Sequence, residues 1–140
     1  MLTNNISGGI VLSIVKTISN ILPNADKAII PADKFTKYSL NPDKAPDKAS
    51  AFRLALGYSI DNYNKLIENI YRNIPIFEAT YKGNNKFGDL FEVIMNLTGE
   101  NGKSANVVTA WIIDNYDADK IPRLTNAYIT NKKLKGENQR

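Results

Sequence analysis

The sequence predicts an α+β domain in which N-terminal helices pack on one face of a four-stranded antiparallel sheet. Up to residue 75, apolar residues recur at spacings of three and four, the period of helices with one buried side. From residue 76 the period falls to two, in short β-rich runs separated by Gly, Asn, Asp and Pro. Helices first and strands afterwards segregate the helices to one side of the sheet and leave the other side free for function. The 140 residues suffice for one such domain, since a chain of this size buries roughly 70% of its unfolded surface.

Residues 9–22 carry Ile10, Val11, Ile14, Val15, Ile18, Ile21 and Leu22 along one stripe, so residues 1–24 read as an amphipathic helix closed by Pro23. The stripe is interrupted by Ser13, Lys16 and Asn20, and is too short to span a bilayer. Four Asp-Lys pairs follow, at 26–27, 33–34, 43–44 and 47–48, among Pro31, Pro42 and Pro46 at irregular intervals, so they form no repeat. Asp47 is the expected N-cap of a helix over 48–56 that stops at Gly57. After Ser59, the residues Ile60, Tyr63, Leu66, Ile67, Ile70, Tyr71 and Ile74 predict a second helix ending at Pro75.

The runs 76–82, 89–100, 105–114 and 123–130 predict four strands, with Asn101-Gly102 as the strongest hairpin signal. Together they complete an α+β body over 25–130, followed by a basic tail over 131–140 with Lys132, Lys133, Lys135 and Arg140 against Glu137. Net charge is +4, most of it in that tail, so the body is nearly neutral. Composition permits an RNA partner without arguing for one.

With no Cys and no His, the chain excludes disulfides, Cys/His zinc sites, thiol nucleophiles and imidazole acid-base catalysis. Gly102-Lys103-Ser104 imitates a phosphate-binding loop but joins strand to strand, and Leu97 stands where the first glycine is required. Asp114, Asp117 and Asp119 lack the Gly and distal Glu of a calcium loop. No metal and no cofactor is expected.

Strict alternation places Arg123, Thr125 and Ala127 on one face of the last strand, and Leu124, Asn126 and Tyr128 on the other. In the preceding strand it assigns Val108, Ala110 and Ile112 to the core, leaving Thr109 and Trp111 on a half-polar platform beside Asn96 and Glu92. Trp111 there stacks a base, and Arg123 and the threonines bind phosphate. The alternative keeps Trp111 in the core and pairs Arg123 with Asp114 or Asp117.

The segments IPADKFTKYSLNP, DKASAFRLALGY, LTGENGKSANVVTAWII and RLTNAY resemble a small bacterial domain family of unknown function. Its members run IP-x-x-K, YxLNP, KAxFFxxLGF, GxNG, TxW and RLVTAY in that order, at the C-termini of secreted polymorphic toxins and in phage-related proteins. The chain also resembles the C-terminal toxin domains of contact-dependent growth inhibition effectors (CdiA-type), some of which are tRNA-cleaving nucleases of the barnase/EndoU/colicin/RelE fold. The resemblance spans residues 29–128.

It implies a metal-independent ribonuclease, secreted as the C-terminal part of a larger effector and acting in the target-cell cytoplasm. The implied catalytic residues are Lys48, Arg123, Thr125 and Tyr128, with Thr109, Trp111 and Asn126 binding substrate. Asn126 stands where the family pattern has Thr. A lysine or Glu92 is the candidate base, Arg123 neutralises the phosphorane, and Lys48 or Tyr128 is the acid. Without imidazole, the pH optimum is expected to be high. Implied partners are tRNA, a translation factor of the target cell, and an acidic cognate immunity protein. The rival expectation is a non-catalytic binding or structural module.

Overall fold

A computed structural model describes residues 20–134 of the chain. Most of the expected helix over 9–22 and residues 135–140 of the expected tail lie outside the described residues. Asn20, Ile21 and Leu22 are described; they stand in an irregular turn, not a helix, and Leu22 is buried in the core.

Short helical pieces open the described part: a 3-10 turn at Ala25–Lys27 and a π-helical turn at Phe35–Ser39. Helix α1 follows at Pro46–Leu56. Its N-cap is Ala45, two residues before the expected Asp47, because Pro46 occupies the first helical position, where its fixed φ suits the helix and its missing N–H is not needed. Gly57 closes it with φ 76°, as expected. Ser59 then caps a 3-10 turn, Ile60–Asn62, through a reciprocal box in which Asn62 Oδ1 accepts from Ser59 N at 2.8 Å. That turn runs directly into α2, Tyr63–Asn73.

Four antiparallel strands in sequence order, β1 (Ala79–Asn84), β2 (Gly88–Thr98), β3 (Ser104–Asp114) and β4 (Arg123–Thr130), form the expected meander. The fold is α+β. Phe52 and Leu56 of α1 and Leu66 and Ile70 of α2 meet Val93, Met95, Leu97, Val107, Trp111, Leu124 and Ala127 of the sheet in one core. The tip of the β2–β3 hairpin docks on the end of α1. A Cβ on Gly99 would lie 2.0 Å from the Leu56 carbonyl oxygen, so only glycine permits the approach. Gly102 supplies the left-handed residue of the turn, φ 81°.

The outer edge of β4 is closed by the chain that precedes α1. Leu124 N donates to Ile29 O and Ile29 N to Pro122 O, each at 2.9 Å, while Ser39 Oγ donates to Ala127 O at 2.8 Å.

Two expectations about the faces of the sheet are overturned. Thr109 and Trp111 do not form a platform; paired opposite Val93 and Phe91, they point into the core and are 0% and 1% exposed. The set expected to face the core, Val108, Ala110 and Ile112, lies on the other side of β3 with Leu90 and Ile94 opposite. Both faces of β3 are apolar, so alternation alone does not select the helix-covered one.

The second correction concerns β4. Asn126 pairs with Ala110 and Leu124 with Trp111, so Thr125 is an extra residue and the strand bulges there. The bulge brings Arg123 opposite Ile112, into the row that holds Asn126 and Tyr128, instead of the face expected to carry Ala127.

Candidate functional site: a cationic hollow at the edge of β4

The π-helical turn sorts its residues sharply. Phe35 and Ser39 go inward, Phe35 into the core and Ser39 onto the β4 backbone. Lys34 and Tyr38, four residues apart, are left together on the outside, with Lys34 Nζ 5.9 Å from the Tyr38 ring centroid. Asn41 then re-aims the chain: its amide donates to Thr36 O at 3.0 Å and its oxygen accepts from the backbone N–H groups of Asp43 and Lys44. This local turn delivers Pro46 to the start of α1 and places Lys48 in the first turn.

Lys48 reaches across to β4. Its ammonium donates to Asn126 Oδ1 at 2.9 Å and lies 5.7 Å from the Tyr128 ring centroid. Asn126 Oδ1 also accepts from Ala127 N at 2.9 Å, which holds the amide in place. Lys34, Tyr38, Lys48, Thr125 and Asn126 thereby line a hollow of about 180 Å³. No carboxylate is among them, and neither lysine has an ion pair among the described residues. Two uncompensated cations beside phenol and amide groups make a place for a phosphate-sized anion. The hollow is smaller than the roughly 300–1,000 Å³ of pockets that engulf a drug-sized ligand.

Of the seven residues singled out from the sequence, Lys48, Thr125, Asn126 and Tyr128 gather at this hollow or on its border. The Thr125 hydroxyl donates to Ala110 O at 3.2 Å and so anchors the bulge. Arg123 is elsewhere: its guanidinium pairs with Asp114 at 3.5 Å, the structural pairing that the sequence offers as an alternative. Thr109 and Trp111 form a buried relay in which the indole N–H donates to Thr109 Oγ1 and that hydroxyl to Val93 O, each at 2.8 Å. They stabilise the core and have no route to a ligand. Glu92, the carboxylate proposed as a base, shares a cross-strand row with Ala110 and Asn126 but pairs with Lys132 at 3.6 Å and does not line the hollow.

Lys34 and Tyr38 are the residues that sequence reading missed. The signal was present, since they are the Lys of IP-x-x-K and the Tyr of YxLNP. Four of the family motifs, IP-x-x-K, YxLNP, KA and RLVTAY, thus each contribute a side chain to one place, while LGF, GxNG and TxW are spent on packing.

The loop acids are structural too. Asp117 accepts from the backbone N–H groups of Asp119 and Ile121, and among the described residues no cluster of three or more His, Cys, Asp or Glu has the arrangement to hold a metal. No helix of the described residues is long and apolar enough to cross a membrane.

Comparison with curated proteins and with solved structures finds no match. A family model described as a domain of unknown function, DUF6883, matches residues 21–131. That span contains every element from the first 3-10 turn to the end of β4 and the whole of the Lys34–Lys48 hollow, and the chain belongs to this family.

Proposed function

We propose that this chain is an antibacterial toxin domain of the CdiA type, a metal-independent ribonuclease that cleaves tRNA in the cytoplasm of a target bacterium. In this reading it is the C-terminal part of a larger secreted effector, and an acidic cognate immunity protein neutralises it. The observation that carries the reading is the meeting of Lys34 and Lys48 with Tyr38 and Tyr128 on the β4 edge, with no carboxylate lining the hollow.

The reaction that suits such a hollow is transesterification. A base removes the ribose 2′-hydroxyl proton, the 2′-oxygen bonds to phosphorus, and the bond to the 5′-oxygen breaks as that oxygen takes up a proton. The products are a 2′,3′-cyclic phosphate and a 5′-hydroxyl. Lys34 and Lys48 supply positive charge where the phosphorane gains negative charge. In that they take the part first given to Arg123, while the Tyr38 and Tyr128 hydroxyls carry the protons, Tyr38 in place of Glu92; Arg123 and Glu92 are paired elsewhere.

A non-catalytic module that binds a phosphate-bearing partner is the second reading. It is favoured by one observation: the Lys48 ammonium already donates to Asn126, and neither imidazole nor carboxylate lines the hollow to take the first proton. Sequencing RNA ends from cells induced for the domain separates the two. A unique new 2′,3′-cyclic end, lost in Lys48→Ala, supports the ribonuclease; unchanged RNA with unimpaired growth supports the module.

A further inference from the structure

A second hollow, of about 310 Å³, opens on the other flank of α1. Pro46, Ser50 and Arg53 fall on that flank by helical spacing, whereas Lys48 falls on the flank facing β4. Its apolar lining includes Leu40, Pro46 and Ile60, and its polar residues are Ser59, whose hydroxyl is already engaged, and Ser50, Arg53 and Asp61. The last three side chains have no hydrogen-bond or ion-pair partner among the described residues. Only the backbone of Asp61 is engaged, its N–H donating to Ser59 Oγ at 3.2 Å.

We infer that this hollow is a guanine-recognition subsite for the RNA strand whose phosphate occupies the Lys34–Lys48 hollow, an inference that rests on the ribonuclease reading. The apolar lining suits the faces of a flat heterocycle. A carboxylate accepts from two adjacent N–H groups, which guanine offers at N1 and N2, while a guanidinium donates to the acceptor pair O6 and N7. Adenine offers an acceptor at N1 and opposes the carboxylate there. Cytosine and uracil lack the fused second ring and the O6/N7 acceptor pair. The two hollows flank the first turns of α1, and Leu40 follows Tyr38 by two residues, so a strand drawn across the N-terminal end of α1 meets both.

Titration of the intact chain with guanosine and with adenosine, followed by amide NMR, tests the assignment. Guanosine is expected to shift the Ala49, Ser50 and Ile60 amides saturably, with adenosine at least about tenfold weaker. Asp61→Asn is expected to weaken guanosine by a similar factor while the core amides stay in place, and Arg123→Ala, outside both hollows, to leave guanosine binding unchanged. Equal response to both nucleosides, indifference to Asp61→Asn, or tighter binding of a zwitterionic amino acid such as leucine would overturn it. RNA ends with no guanine preference beside the break overturn the subsite and leave the ribonuclease standing. Selective guanosine binding without new RNA ends does the reverse.

Discussion

Lys48 Nζ and Asn126 Oδ1 lie 2.9 Å apart, although 78 residues separate them in the chain. The bond ties the first turn of α1 to the edge strand and fixes an ammonium over the mouth of the hollow. Because the same amide oxygen also accepts from Ala127 N, the position of Lys48 is set by the β4 backbone. Asn126 in turn owes its place to the bulge at Thr125.

If that ammonium serves a phosphate, removing it ends toxicity without unfolding the domain. Lys34→Ala and Lys48→Ala are each expected to restore growth on induction and to change stability by no more than about 1 kcal/mol, as for half-exposed polar side chains. Asn126→Asp places a carboxylate against Lys48 and neutralises it, so RNA cleavage falls at least about tenfold while the urea midpoint holds. Arg123→Ala, outside the hollow, leaves cleavage within about twofold of the parent if the β4 pairing survives.

Trp111 is the sole tryptophan, so its fluorescence reports the core alone. Blue-shifted emission, resistant to iodide, is expected, and unchanged on adding RNA. Thr109→Val removes the acceptor of the indole N–H and leaves that donor buried and unpaired, costing about 1–3 kcal/mol in urea unfolding. An RNA-dependent change in emission would return Trp111 to the binding surface.

Gly99 and Gly102 stand three residues apart in the hairpin and differ in what surrounds them. Gly99→Ala drives a methyl into the Leu56 backbone and is expected to cost about 3 kcal/mol. Gly102→Ala meets no neighbour within 4 Å, and its cost, about 1–2 kcal/mol, is the strain of φ 81° alone. Thermal unfolding of the two variants ranks them.

Burial raises the pKa of the Tyr58 phenol above its ordinary 10.0, and the Asn69 hydrogen bond opposes that shift only in part. The folded state therefore holds its proton longer than the unfolded state does. The contribution is present in full below pH 10 and is lost as pH rises through the folded value. Stability measured between pH 9 and pH 11 should drop more steeply in the parent than in Tyr58→Phe. At neutral pH that variant gives up the 2.9 Å bond from Asn69, about 1 kcal/mol, while the same amide keeps its bond to Thr98 O.

The helices and strands were legible because each carries its own period and its own stop: Gly57 for α1, Pro75 after α2, Asn101-Gly102 between β2 and β3. The side of β3 was not, because Val107, Thr109, Trp111 and Ile113 alternate with Val108, Ala110 and Ile112, and only the arrival of α1 and α2 decides which set is covered. The bulge was equally silent, since Thr125 carries none of the glycine that often marks one. Of the hollow, Lys48, Asn126 and Tyr128 were visible through their motifs. Lys34 and Tyr38 stand in motifs too, IP-x-x-K and YxLNP, but the π-helical turn that leaves them together on the outside has no periodicity to announce it, in a stretch whose prolines read as loop.

The bonds from Ile29 and Ser39 to β4 have a consequence for how copies of this protein behave when crowded. A meander has two open borders, and at this one the carbonyls of Ala127 and Pro122 and the N–H of Leu124 are already occupied from within the same molecule. Strand-to-strand stacking of neighbouring copies is thereby pushed to the β1 border. There Lys82 and the register break beside Gly83 interrupt a continuous template, which discourages fibre growth from both ends of the sheet.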